Sequence, residues 1–291
     1  EKLGQMVMIG IQGTKVDDDS LYMLNQYHMG GVILFDRNME SPEQVKQLTS
    51  DLQAQSNEKV PLFIGIDEEG GDVVRMAEKL TPPPSQKEIG ATGDIEQAKT
   101  WAIKTAKSLK DMGINVNFAP VADVGSNDKR SYSIDTNTVI DFVRAATEGY
   151  QQENIIYSLK HFPGIGKGRV DSHVDSSSID VAKEVLMAED ILPFKTIIDG
   201  NEPNDYFILV SHLKYPALDE EYPASLSSKI MTDLLRNELG YKGIIITDDM
   251  EMGAVANHND FRSIGVKAVK AGADIVLVCH EYKHQQEVYL G

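Results

Sequence analysis

Short apolar runs recur along the chain, each followed by a polar loop and then a stretch with helical spacing. Eight of these runs read as strands, at 6–11, 30–35, 61–67, 114–120, 157–162, 207–212, 243–249 and 273–279. Several are unbroken Val/Ile/Leu runs rather than alternating ones, as in "GIIIT" at 243–247. Unbroken runs mark strands buried on both faces, as in a parallel sheet covered by helices. Between them, 41–55 opens on a Ser cap with Pro42 at the first helical position and carries Val45, Leu48 and Leu52 on one face. The segment 94–113 starts at Asp94 and stops at Gly113. Segments 136–153, 180–200, 225–240 and 260–272 follow the same scheme, and a last helix begins at His284.

Eight strands with intervening helices predict an α/β fold of the (β/α)8 TIM-barrel type, for which about 250 residues is usual. A doubly wound sheet is the alternative, but no Gly-rich dinucleotide loop follows the first strand. With no Pro/Ser-rich linker, residues 1–291 read as one domain.

Charge narrows the partners. The chain holds 45 acidic against 28 basic residues, a formal net charge of −17. That balance argues against nucleic acid and against anionic membrane surfaces; its simplest meaning is solubility. The single cysteine, Cys279, excludes an intrachain disulfide. This fits a cytoplasmic protein and also the many exported bacterial proteins without disulfides. No apolar run reaches membrane-spanning length and no signal peptide is visible. The start at Glu1 and the end at "EVYLG" both read as trimmed, so a cell-surface or secreted location after loss of a leader stays open beside a cytoplasmic one.

In a barrel of this kind chemistry sits at the C-terminal ends of the strands. Those ends carry Asp36-Arg37, Asp67-Glu68, Asp123, Lys160-His161, His212, Asp248-Asp249 and His280. Any one of them could be a polar cap for the next helix; together they read as an active site. The third strand runs into "DEEGGDVVRM" at 67–76, where two glycines let backbone approach a ligand. There Asp67 and Arg75 suit a ligand rich in hydroxyls. The seventh ends in "TDDMEMGA" at 247–254, and strand alternation lets only one of Asp248 and Asp249 point into the mouth. The fifth leads into "KHFPGIGKGRVDSHVD" at 160–175. On that loop Asp171 can hold one ring nitrogen of His173 and free the other for proton transfer. A metal site from His161, Asp171 and His173 and a Schiff-base role for Lys160 are the rivals.

Taken together, "KHFPGIGKGRVDSH", "TDDMEMGA", "DEEGGDVVR" and "NVNFAPVADV" resemble glycoside hydrolase family 3, most closely its single-domain bacterial β-N-acetylglucosaminidase branch, the NagZ type. The resemblance runs over nearly the whole chain, motifs in order. It implies that Asp248 is a catalytic nucleophile forming a covalent glycosyl-enzyme, and that His173, paired with Asp171, is the general acid/base. It implies that Asp67, Arg130, Lys160 and His161 bind sugar hydroxyls and that Arg75 supports them. The implied activity is retaining and exo-acting, on terminal β-linked N-acetylglucosamine of muropeptides or chitooligosaccharides, with no metal or organic cofactor. A histidine acid/base also lets phosphate compete with water, so a phosphorylase is one alternative. Another family 3 specificity such as β-glucosidase, and an inactive sugar-binding barrel, are the others. The chain departs from the family pattern at Asp72, where Arg is usual, and at Ile165 and Lys167, where His and Asp are usual. It is also short between Asn127 and Arg130.

Overall fold

The computed structural model describes residues 2–56, 60–125, 129–168, 178–257 and 259–291. All eight predicted strands are present, each shorter than its apolar run except β5, which is one residue longer: β1 Val7–Gly10, β2 Gly31–Leu34, β3 Phe63–Ile66, β4 Val116–Asn117, β5 Ile156–Phe162, β6 Tyr206–Val210, β7 Ile244–Thr247 and β8 Val276–Val278. They pair in parallel in the order β7-β6-β5-β4-β3-β2-β1-β8. A parallel bridge from Ile246 to Ile275 brings β7 to β8 and closes the (β/α)8 barrel.

Strand alternation divides the core in two. Met8, Ile33, Val116, Phe118, Phe207, Leu209, Ile246, Leu277 and Cys279 form one buried cluster inside the barrel. Their neighbours Val7, Ile9, Val32, Leu34, Ile208, Ile245 and Val278 belong to the larger cluster shared with the helices. This is why the strands read as unbroken apolar runs: both faces are buried. Gly65 of β3 leaves the room that Phe118 fills, since a Cβ there would sit 2.6 Å from its ring.

The helices start where the sequence provides caps. Ser41 accepts from Gln44 N ahead of Pro42–Ala54, Asp94 from Glu96 N ahead of Ile95–Asp111, and Asp135 from Thr138 N ahead of Thr136–Gln152. Asp260 accepts from Ser263 N ahead of Phe261–Ala271. The segment expected as one helix at 180–200 is two, Lys183–Ala188 and Leu192–Gly200. The break falls at Glu189-Asp190, just before Pro193, whose missing N–H suits a helix start and not a helix interior. The segment at 225–240 is split as well, a short turn at Ala224–Leu226 preceding the helix Lys229–Glu238. Helices Asp18–Tyr27 and Gln86–Ala91 were not expected, and the last helix, Tyr282–Leu290, starts two residues early. Among the described residues no helix is long and apolar enough to cross a membrane.

Candidate active site

The parity that fills the barrel also aims the side chains at its mouth. Asp67 continues the inward series of Phe63 and Gly65, and Lys160 that of Ile156 and Ser158. Asp248 continues the series of Ile244 and Ile246, and Phe35 that of Ile33. These residues line one open cavity of about 340 Å³, with Glu69, Arg75, Arg130, His161, Asp249, Met252 and His280 on its walls and Phe118, Leu209 and Leu277 on its apolar floor.

The loop after β3 carries the first wall. Gly70 and Gly71 take φ of 116° and 59°, where a side chain is strained, and a Cβ on Gly70 would lie 2.2 Å from Pro84 O. That turn folds Glu69 back over the mouth. Buried Asn117 fixes the loop's start, its Oδ1 accepting from Glu68 N at 3.0 Å while its Nδ2 donates to Glu68 O at 3.1 Å.

Charges then interlock. Lys160 Nζ lies 2.6 Å from Glu69 Oε2 and 3.0 Å from Asp67 Oδ1. Arg130 grips Glu69 with two nitrogens, Nε to Oε1 at 2.9 Å and Nη2 to Oε2 at 2.8 Å. Arg75 Nη2 reaches Asp67 Oδ2 at 3.3 Å, and its guanidinium lies over the Phe35 ring, 5.1 Å from the centroid. Burial works to raise the Glu69 carboxyl, but Lys160 and Arg130 outweigh it and hold it at about 2. Burial likewise works to lower the Lys160 ammonium, and Glu69 with Asp67 reverses this and raises it. A Schiff-base lysine needs the opposite shift, so the site argues against that rival. Glu68 is buried and is not part of the cavity lining. Burial pushes it up to about 7, opposed by Arg75, whose backbone N–H donates to Oε1.

His161 is held from behind. Its Nδ1 lies 2.8 Å from Asp123 Oδ2, while its own N–H and that of Ile165 both donate to Asp123 Oδ1 at 3.0 Å. That leaves Nε2 toward Arg130, 3.3 Å from Nη2. The Lys160-His161 peptide is cis, and the β5–β6 register slips between Leu159 and Phe162.

At β7, Asp248 borders the cavity and accepts from Asp249 N at 2.9 Å. Asp249 also touches the cavity, but its Oδ1 is taken by Cys279 N at 3.1 Å and Glu251 N at 3.2 Å. Burial pushes the Asp249 carboxyl up. The expectation that only one of the two faces the mouth is not met: both line the cavity, and they differ in that Asp249 also braces the turn through Cys279 N and Glu251 N.

Of the predicted site residues, the structure brings Asp67, Arg75, Arg130, Lys160, His161 and Asp248 to one cavity. Asp171 and His173 lie outside the described residues. Among the described residues no group of three His, Cys, Asp or Glu side chains is placed to hold a metal ion.

A family profile, the glycosyl hydrolase family 3 N-terminal domain, matches residues 1–289. The chain belongs to glycosyl hydrolase family 3. It is 37% identical over 281 residues to β-hexosaminidase A of Pseudoalteromonas piscicida, covering 88% of this chain and 46% of that protein. The structure of a family 3 β-N-acetylglucosaminidase from Paenibacillus superposes with a TM-score of 0.95 at 36% identity, over 99% of this chain and 56% of that one. The chain thus spans about half the length of these two relatives. A structure of NagZ from Neisseria gonorrhoeae in complex with N-trifluoroacetyl-D-glucosamine superposes with a TM-score of 0.90 at 28% identity, over 98% of this chain and 84% of that one.

Several strand-end residues of this family 3 barrel take structural roles instead of lining the cavity. His212 is buried between Ser225 Oγ and Asp249 O. Arg37 ties the ends of β1 and β8 through Ile11 O and Cys279 O. Asp36 is exposed, 3.6 Å from Arg75. Conversely, the sequence pattern does not single out Glu69, although its carboxylate receives Lys160 and two nitrogens of Arg130. The signal available was its place immediately before two glycines, where the chain must turn back on itself.

Proposed function

We propose that residues 1–291 work as one catalytic barrel domain, that of a retaining exo-β-N-acetylglucosaminidase. What supports this most is that Asp248 borders the same cavity as the Asp67–Lys160–Glu69–Arg130–His161 network. Carboxylates and cations interleaved on one wall present acceptors and donors to vicinal hydroxyls, and the apolar floor suits the face of a sugar ring. The cavity's volume sits at the low end of the usual ligand range of about 300–1,000 Å³, as one terminal sugar requires.

In the first step Asp248 attacks the anomeric carbon as the bond to the leaving oxygen breaks. His173, kept charged by Asp171, gives that oxygen its proton. In the second step water attacks the same carbon, gives a proton to His173 and frees Asp248, so the β-configuration is retained. Side chains alone balance both steps. The relatives named for hexosaminidase and N-acetylglucosaminidase activity favour terminal N-acetylglucosamine as the sugar, carried by muropeptides or chitooligosaccharides.

The test is release of p-nitrophenol from the β-N-acetylglucosaminide and the β-glucoside, with and without phosphate and EDTA, beside Asp248→Ala and His173→Ala. The N-acetylglucosaminide should be cleaved, EDTA should change nothing, and each substitution should slow turnover by about 10²-fold or more. Acceleration by phosphate would make the protein a phosphorylase. Preference for the glucoside would refute the sugar assignment. Sugar binding without turnover would make it a binding barrel.

A further inference from the structure

We propose that Glu251 is a positioning residue for the nucleophile, a carboxylate that ties the turn after β7 to the end of β8. The proposal rests on the reading of Asp248 as nucleophile.

The helix Tyr282–Leu290 begins without a cap of its own: Glu281 stands at its N-cap, and its side chain makes no capping bond. Glu251, on another loop, accepts instead from the two N–H groups that lead into the helix. Its Oε1 accepts from His280 N at 2.6 Å and its Oε2 from Glu281 N at 3.1 Å. His284 Nδ1 lies 2.7 Å from the same Oε2, and its ring stacks on Phe261 at 3.9 Å. The Glu251 side chain is 9% exposed, so these bonds are little diluted by water.

A helix cap alone would be a stability device. Two observations carry the argument further. First, Asp249 Oδ1 accepts from Cys279 N, so two carboxylates two residues apart receive three successive N–H groups, those of Cys279, His280 and Glu281. The turn is thereby fastened along the whole end of β8. Second, Asp248 depends on that turn, because its Oδ1 accepts from Asp249 N, whereas its own N–H is held by Val210 O of β6. The backbone at Asp248 is fixed by the barrel, and the direction of its carboxyl by the turn. Glu251 also sets His280, whose ring lines the cavity with Nδ1 2.6 Å from Arg37 Nη1. Arginine can only donate, so Nδ1 accepts and the ring offers an N–H at Nε2.

Removing Glu251 strips acceptors from two amides and lets the turn shift. A nucleophile displaced by about 1 Å loses up to about 10²-fold in rate. The experiment is the rate at which a 5-fluoro-N-acetylglucosaminyl fluoride labels Asp248, followed by intact mass, together with kcat and KM. Glu251→Ala should slow labelling and kcat by about 10- to 100-fold and leave KM within about threefold. Glu251→Gln keeps one acceptor and should fall between Glu251→Ala and wild type.

A folded Glu251→Ala protein that labels and turns over at the wild-type rate, with only its Tm lowered, overturns the proposal. If Glu251→Ala does not fold, Glu251→Gln decides: reduced kcat at unchanged KM supports the proposal, and wild-type kinetics overturn it. A wild-type chain that neither labels nor turns over refutes the nucleophile reading itself, and this proposal with it.

Discussion

Glu69 gives a quantitative test of the charge network. Its side chain is 2% exposed and receives Lys160 and both arms of Arg130. Gln in its place has the shape of the protonated acid but no charge, so Glu69→Gln mimics neutralisation of the site. A carboxyl held at about 2 against an ordinary 4.5 is worth about 3 kcal/mol at neutral pH. Stripping one partner from a buried ion pair costs about 3–5 kcal/mol. The low end applies here, because Lys160 keeps Asp67 at 3.0 Å and the Arg130 side chain is 38% exposed.

The pH dependence makes the number specific. The folded carboxyl is depressed, so its contribution is full above pH 4.5 and is lost as pH falls through about 2. Urea unfolding of wild type and Glu69→Gln should therefore differ by about 3 kcal/mol at pH 7 and by about half that at pH 3. A gap of the same size at both pH values would show that Gln acts through packing or amide geometry. A gap below about 1 kcal/mol at pH 7 would show that the network is screened like a surface pair. Either result refutes the account of Glu69.

Glu68 should behave in the opposite sense. Its folded pKa is raised to about 7, so the stability it contributes is full below 4.5 and lost as pH rises through about 7. Relative to wild type, Glu68→Gln should gain up to about 3 kcal/mol at pH 8 over its standing at pH 4.5, read from urea midpoints, and a pH-independent difference would contradict this. Lys160→Met leaves Glu69 with Arg130 and Asp67 with Arg75. It should lower kcat/KM by about 10- to 150-fold, the worth of a charge-assisted hydrogen bond to substrate, while far-UV circular dichroism stays unchanged.

The barrel was legible because its strands are buried on both faces and announce themselves as unbroken runs. The misreadings came where the pattern was local. Helix Asp18–Tyr27 buries only Ser20, Met23, Leu24 and Tyr27, with polar residues between, so its apolar stripe is thin. Its start was nevertheless written in Asp17 and Ser20, which bond each other's backbone N–H groups across the first turn. At 180–200 the apolar spacing continues through Glu189-Asp190, yet Asp190 is buried and paired with Lys167, 2.5 Å away. Pro193 is the local signal for that break, and the Lys167–Asp190 ion pair that fastens it is a tertiary contact no window of sequence around residue 190 contains.

The same distinction explains the site. Asp67, Lys160 and Asp248 could be placed in the mouth by counting in twos from the barrel interior, because each ends or directly follows a strand. His212 also stands at a strand end, but it is one residue out of step with Phe207 and Leu209 and is buried against Ser225. Parity thus places Asp67, Lys160 and Asp248 and sets His212 apart, although His161, Asp249 and His280, each one residue out of step, line the cavity as well. It fails beyond the strand. Glu69 has the inward parity of Asp67, but the chain has left β3 by then, and its place over Lys160 depends on the left-handed turn at Gly71 and on Arg130, 61 positions away. Glu251 is the same case on the other side of the mouth, three residues past Asp248 and bonded to amides 29 and 30 positions on. Asp67, Lys160 and Asp248 are thus set in the cavity by strand periodicity. The carboxylates that orient them come from turns, where only the folded backbone brings donor and acceptor together.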